Sequence, residues 1–131
     1  MIRKFILAEF KEKYSCNEHR SEIHNMFIED LKCIKSQCKQ IRVLVFGSYI
    51  TKKENPKDID ILISLIPNAD NLYCIMKNGL KQNYPDFVDV QFNKTQYWLK
   101  ETEALLNYFN NNPLNVKKGI RIKDAIEISD I

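Results

Sequence analysis

Apolar residues at Ile23, Phe27, Leu31, Ile34 and Cys38 recur at spacings of four and three, which is one stripe of a helix running to about Lys39. Ser15 and Glu18 have capping-box spacing and predict its start. The period then shortens. Residues 41–46 (IRVLVF) form a β-branched apolar run, a strand that ends abruptly at Gly47-Ser48. A polar stretch with the turn signal Asn55-Pro56 follows. Residues 59–66 (IDILISLI) are apolar nearly throughout, as expected of a central strand. Asp70–Asn83 predicts a helix with Leu72, Ile75, Met76 and Leu80 on one face. Residues 87–92 (FVDVQF) alternate and predict a third strand, with Asp89 and Gln91 on one face and Val88 and Val90 on the other. Asn93 opens another helix, with Trp98, Leu105 and Phe109 on its buried side, and Asn110–Pro113 stops it. Val116–Ile128 reads as a final strand whose Lys117, Lys118, Arg121 and Lys123 give it a charged face. Met1–Tyr14 is an apolar-basic lead-in to which no element is assigned.

This order predicts an α+β protein: a small mixed sheet with helices packed on one face. The 131 residues fit a single domain spanning 1–131, with its core at 41–92. Composition changes this picture little. At 44% hydrophobic and 28% charged the chain is an ordinary globular domain with a real core. A net charge of +3 does not by itself argue for nucleic-acid binding, which usually shows a stronger, clustered excess. Cys16, Cys33, Cys38 and Cys74 include no CxxC pair, and Cys16, His19 and His24 read as side chains of a helix rather than zinc ligands. No signal peptide is expected, since Arg3, Lys4 and Glu9 interrupt the opening apolar residues. No apolar run approaches the ~20 residues of a membrane span. The expectation is a reduced, cytoplasmic protein with free thiols and no membrane association.

The chemistry concentrates around three acids. Asp58 and Asp60 sit at i and i+2, so on a strand both carboxylates share one face, roughly 7 Å apart along the chain. Ile59 and Ile61 then point into the core. Two like charges this close resist joint ionisation unless a cation neutralises them, and hard oxygen ligands suit magnesium or manganese. Taken alone, a D-x-D pair is more often a charged strand end. Its context is a strand ending in Gly47-Ser48, eleven positions before Asp58. A glycine there lets backbone N–H groups approach a phosphate, and serine adds a hydroxyl donor. Asp89 is a third acid on an otherwise apolar strand, where a half-buried carboxylate needs a partner. Asp86 competes for that place.

The segment FGSYITKKENPKDIDILI resembles the signature of the nucleotidyltransferase superfamily, the fold of DNA polymerase beta and the minimal nucleotidyltransferases. The likeness covers about residues 41–92. A further resemblance spans nearly the whole chain, to a small family of bacterial nucleotidyltransferase-like proteins. It rests on Phe10, Tyr14, Asn17 and Arg20, then on Gly47, Ser48, Tyr49, Thr51, Lys53, Pro56, Asp58 and Asp60, and on Lys118, Gly119 and Ile120 to Asp124.

The resemblance implies that Gly47-Ser48 hold a nucleoside triphosphate (ATP among the candidates) and that Asp58, Asp60 and Asp89 hold two magnesium ions. Lys53 would neutralise phosphate charge. The implied reaction moves a nucleoside monophosphate to an acceptor hydroxyl. With little room for a second domain, the acceptor is expected to be a macromolecule: a protein side chain, or a tRNA or other RNA end. Small members of the superfamily often act in toxin–antitoxin or phage-defence pairs. The alternative is a degenerate module that binds a nucleotide or partner without turnover.

Overall fold

The longest contiguous pairing among the described residues is between Cys38–Phe46 (β2) and Ile59–Pro67 (β3), which run antiparallel with Val43 opposite Ile63 and Phe46 opposite Asp60. In the computed structural model, which describes residues 2–92 and 102–131, this pair is the middle of a five-stranded mixed sheet. Arg3–Phe5 (β1) and Ala125–Ile128 (β5) pair in parallel, β5 pairs antiparallel with β2, and Val88–Phe92 (β4) closes the far edge in parallel with β3. The order is β1-β5-β2-β3-β4.

Alternation along β2 and β3 divides the sheet into two faces. Val43, Val45, Ile59, Ile61, Ile63, Val88, Ile126 and Ile128 face one core. Over them lie Leu7–Tyr14 (α1) and Glu18–Ser36 (α2), with Ile75 of Leu72–Asn78 (α3). The predicted stripe of α2 is there as read: Ile23, Phe27, Leu31 and Ile34 are all buried. Leu44 and Leu62 face the opposite way and pack with Leu105 and Phe109 of Thr102–Asn111 (α4). Helices therefore cover both faces, which corrects the expected one-sided packing. The cause is the alternation itself: β2 and β3 are apolar at both parities, so each face needs a cover.

Other expectations are adjusted for equally local reasons. The start of α2 is capped not by Ser15 but by Asn17, whose side chain accepts the Arg20 N–H at 2.8 Å, while Ser15 Oγ is engaged with the Tyr49 hydroxyl at 2.9 Å. α3 is shorter than predicted, because Gly79 at φ 83° ends it; Leu72 and Met76 stay exposed. The tail is not one strand. Asn112 caps Pro113–Lys118 (α5) by accepting the Leu114 N–H, Pro113 sits in its first turn, and left-handed Gly119 ends it. Lys117 and Lys118 are thus helical, Arg121 and Lys123 lie in irregular chain, and the strand begins only at Ala125. It is an inner strand, not an edge. The expected helix start at Asn93 and the burial of Trp98 fall outside the described residues.

The lead-in proves to be part of the core. Phe10 is fully buried against Tyr14, His24, Phe27 and Tyr49. The α1 backbone is anchored by Asp130, which accepts the Leu7 N–H at 2.7 Å. We expect Phe10→Ala to cost about 3–5 kcal/mol in urea unfolding, the range for emptying an aromatic core site. A cost under about 1 kcal/mol would mean that α1 is not part of the core.

Candidate functional site

Parallel pairing of β3 with β4 sets Asp60 directly opposite Asp89. Asp58, just before β3, completes the group: one carboxylate oxygen from each of the three lies within 4.8 Å of the others. Asp58 and Asp60 are half-buried and Asp89 is exposed. The core-facing neighbours that pin this geometry, Ile59, Ile61 and Val88, are fully buried. The acids occupy the α4 side of the sheet, sharing strand parity with Leu62. Asp86, the competing third acid, is exposed and outside the cluster.

The accumulated charge bears on the protonation of Asp60. Its own burial, then the carboxylates of Asp58 and Asp89 and a hydrogen bond to Asp89, push it up to about 7. Three acidic oxygens this close form a hard-donor set that fits a divalent cation such as magnesium or manganese.

The turn after β2 closes against the same carboxylate. Gly47 has φ 77°, and a Cβ built there would overlap Asp60 Oδ2. Only glycine satisfies both demands. Ser48 follows in a short 3-10 turn, Gly47–Ile50; its carbonyl accepts from the Thr51 hydroxyl and N–H, and its own hydroxyl has no partner among the described residues. Gly47, Ser48, Asp58, Asp60 and Asp89 thus meet at one end of the strands.

Lys53 is placed differently. It is exposed and lines a cavity with Arg3, Lys13 and Lys52, whereas Gly47 opens on a neighbouring one. What holds its loop is Arg20, which is 2% exposed. All five guanidinium N–H donors are spent on backbone carbonyls: Nη1 on Tyr14 at 3.0 Å and Tyr49 at 2.6 Å, Nη2 on Thr51 at 2.9 Å and on Lys53, and Nε on Lys53 at 3.2 Å. Asn17 Nδ2 donates to the Glu54 carbonyl at 2.8 Å, and His19 Nε2, which must carry the proton, donates to the Pro56 carbonyl at 2.6 Å. The N-terminal turn of α2 therefore grips the whole connection between Ser48 and Asp58. The Asn17 and Arg20 of the sequence motif are its main clamps. His19 and the buried His24 have no part in a metal site among the described residues, and all four cysteines are free.

Asp30 is a residue that sequence reading missed. Fully buried in α2, it accepts the N–H groups of Asn83 at 2.6 Å and Tyr84 at 3.2 Å, fixing the approach to β4 and hence Asp89. An acid in the middle of a helix facing the sheet was its only signal.

A sequence profile matches residues 2–122, taking in the clamp, the glycine turn and all three acids. The chain belongs to DUF6932, a family of unknown function. No curated protein and no solved structure matches the chain. The DUF6932 match ends before β5, so the innermost pairing of the tail lies beyond it.

Two outcomes follow from this geometry. Asp60 is raised in the folded state, so its neutral form is favoured there. Folding then loses stability as pH rises from the unfolded carboxylate value near 4 to about 7, and the loss is complete above 7. A shift of this size corresponds to no more than ~4 kcal/mol, and partial solvent access reduces it. Metal-free Asp60→Asn should exceed the wild type by about 1–2 kcal/mol at pH 8 and match it at pH 4 in thermal unfolding; equal stability at pH 8 would deny the repulsion.

The clamp is tested by Arg20→Ala, which strands four carbonyls and should cost about 3 kcal/mol or more. Arg20→Lys should recover little, having three donors and no fork. Hydrogen exchange in residues 51–57 should accelerate in both; unchanged protection there would show that the loop is held by something else.

Proposed function

We propose that this protein is a metal-dependent nucleotidyltransferase that moves a nucleoside monophosphate from a nucleoside triphosphate to a hydroxyl of a macromolecule. The observation that carries this reading is the meeting of three carboxylates with a glycine turn whose only side-chain-free residue abuts Asp60. The acids would hold magnesium or manganese, and the turn would take the phosphates.

When bound, the cation supplies charge neutralisation at the transferring phosphate and at the acceptor oxygen. The chain's own residues do the rest. Gly47 lets the backbone approach the triphosphate without a side chain between. Ser48 donates its hydroxyl to a phosphate oxygen. Asp58 and Asp60 would hold the cation at the start of β3, where its charge would favour the reacting phosphate. The acceptor oxygen forms a bond to the α-phosphorus, the bond from that phosphorus to the oxygen bridging the β-phosphorus breaks, and pyrophosphate leaves. Asp89, the exposed member of the triad, takes the acceptor's proton. Asp89 is exposed among the described residues, and that open aspect supports a large acceptor.

The decisive experiment incubates the pure protein with each α-labelled nucleoside triphosphate, magnesium or manganese, and either total RNA or cell protein. Label should appear on a macromolecule and fall at least about 100-fold in Asp60→Asn, the scale of losing a transition-state charge partner. Gly47→Ala should fall comparably, because its Cβ displaces Asp60. Tight nucleotide binding without transfer of label to any acceptor would establish a non-catalytic binding module instead.

A further inference from the structure

The 20 basic and 17 acidic residues are not spread evenly. A cavity of about 630 Å³ is lined by Arg3, Lys13, Arg20, Lys52 and Lys53, with Glu54 as its one acid. A neighbouring cavity of about 350 Å³ is lined by Arg3, Arg121 and Lys123, with Asp124 as its one acid. The two adjoin at Arg3, Ile50 and Thr51, which line both, and together they make up a basic trough. Among the described residues, seven bases and two acids line it; over the rest of the sequence acids outnumber bases, 15 to 13. The molecule's mild positive charge is therefore the residue of a basic trough on a slightly acidic body.

Among the described residues, none of these seven cations pairs with a carboxylate; the ion pairs are those of Lys4 and Arg42 with Glu127. Arg20 adds a buried charge beneath the trough floor, satisfied in hydrogen bonds yet not neutralised. Low-dielectric walls carrying one sign of charge focus potential outward. At its inner end the trough reaches Gly47, the residue in contact range of the Asp60 carboxylate.

We propose that this trough binds the phosphate backbone of a single-stranded nucleic acid and leads its terminal hydroxyl to the acids. The inference rests on the nucleotidyltransferase reading and names its acceptor. Two features favour nucleic acid over an acidic protein surface. Among the described residues, the exposed large apolar side chains, Leu72, Tyr73, Met76, Leu114 and Val116 among them, do not line the trough, and a protein interface needs an apolar centre. A row of cations without a carboxylate partner among the described residues also exceeds what one triphosphate needs: Arg3, Arg121 and Lys123 lie by Gly47, while Lys13, Lys52 and Lys53 continue beyond.

The test is fluorescence anisotropy of a labelled 20-nucleotide single-stranded RNA, in EDTA, across a salt series. Each neutralised phosphate contributes about −0.7 to the slope of log affinity against log salt for single strands. With four to six contacts the slope should be about −3 to −4. The triple variant Lys13→Ala/Lys52→Ala/Lys123→Ala should flatten it by about 2 and weaken binding at least 10-fold at low salt. Single-stranded DNA of equal length binding alike would assign recognition to phosphates, and weaker DNA binding would add the 2′-hydroxyl; both support the proposal. A slope near zero, an unchanged slope in the variant, or tighter binding of a glutamate-rich peptide of equal charge would overturn it. Because no catalysis is involved, the two readings fail separately. RNA binding without label transfer defeats the enzyme, and label transfer to protein without RNA binding defeats the trough.

Discussion

Three carboxylates held within 4.8 Å of one another repel, and the sheet must hold them there against that repulsion. It does so through the register of β3 on β4, which puts Asp60 opposite Asp89, and through the apolar residues on the reverse of the same strands. Ile59, Ile61 and Val88 are fully buried, and their burial stabilises by about 1.5–3 kcal/mol each. Slipping either strand by one residue would turn those side chains out of their core and the acids into it. The site is thus built on a pairing whose register burial specifies. Much of the remaining fold supports it: α2 against the back of the sheet, Asp30 at the approach to β4, and the Asn17–Arg20 turn around the connection from Ser48 to Asp58.

The parts legible in the sequence were those decided locally. The three central strands, the apolar stripe of α2 and the placing of Asp58 and Asp60 on one face depend on periodicity alone, and periodicity is written in the chain. Asp89 was legible because alternation put it opposite Val88 and Val90. What the sequence hid was decided at a distance. The two-sided packing depends on where α4 returns, and the shortness of α3 on one glycine. The tail was misread because Ile120 and Ile122 mimic strand alternation, while the Asn112-Pro113 cap and Gly119 enforce a helix before them. Arg20 was marked as a motif residue without a role, because its partners are carbonyls, which have no signature in a sequence.

The same contrast separates the halves of the candidate site. Acids and glycine belong to strand ends and announce themselves by spacing. The cations of the trough come from β1, α1, α2, the connection after Ser48 and the chain before β5, and only the fold brings them together. A net charge of +3 averages them away. Partner chemistry is therefore better judged from the distribution of charge over the folded surface than from its total.

The carbonyl clamp has one more consequence. Every amino acid carries a carbonyl, so Arg20, Asn17 and His19 hold the backbone at Thr51, Lys53, Glu54 and Pro56 without reading the side chains of Lys52, Lys53 and Glu54. Lys52, Lys53 and Glu54 point outward from a backbone whose shape does not depend on them. Shape and surface are inherited separately in this loop. Descendants of the chain can exchange what the loop shows to a partner while the path from Ser48 to Asp58 stays the same.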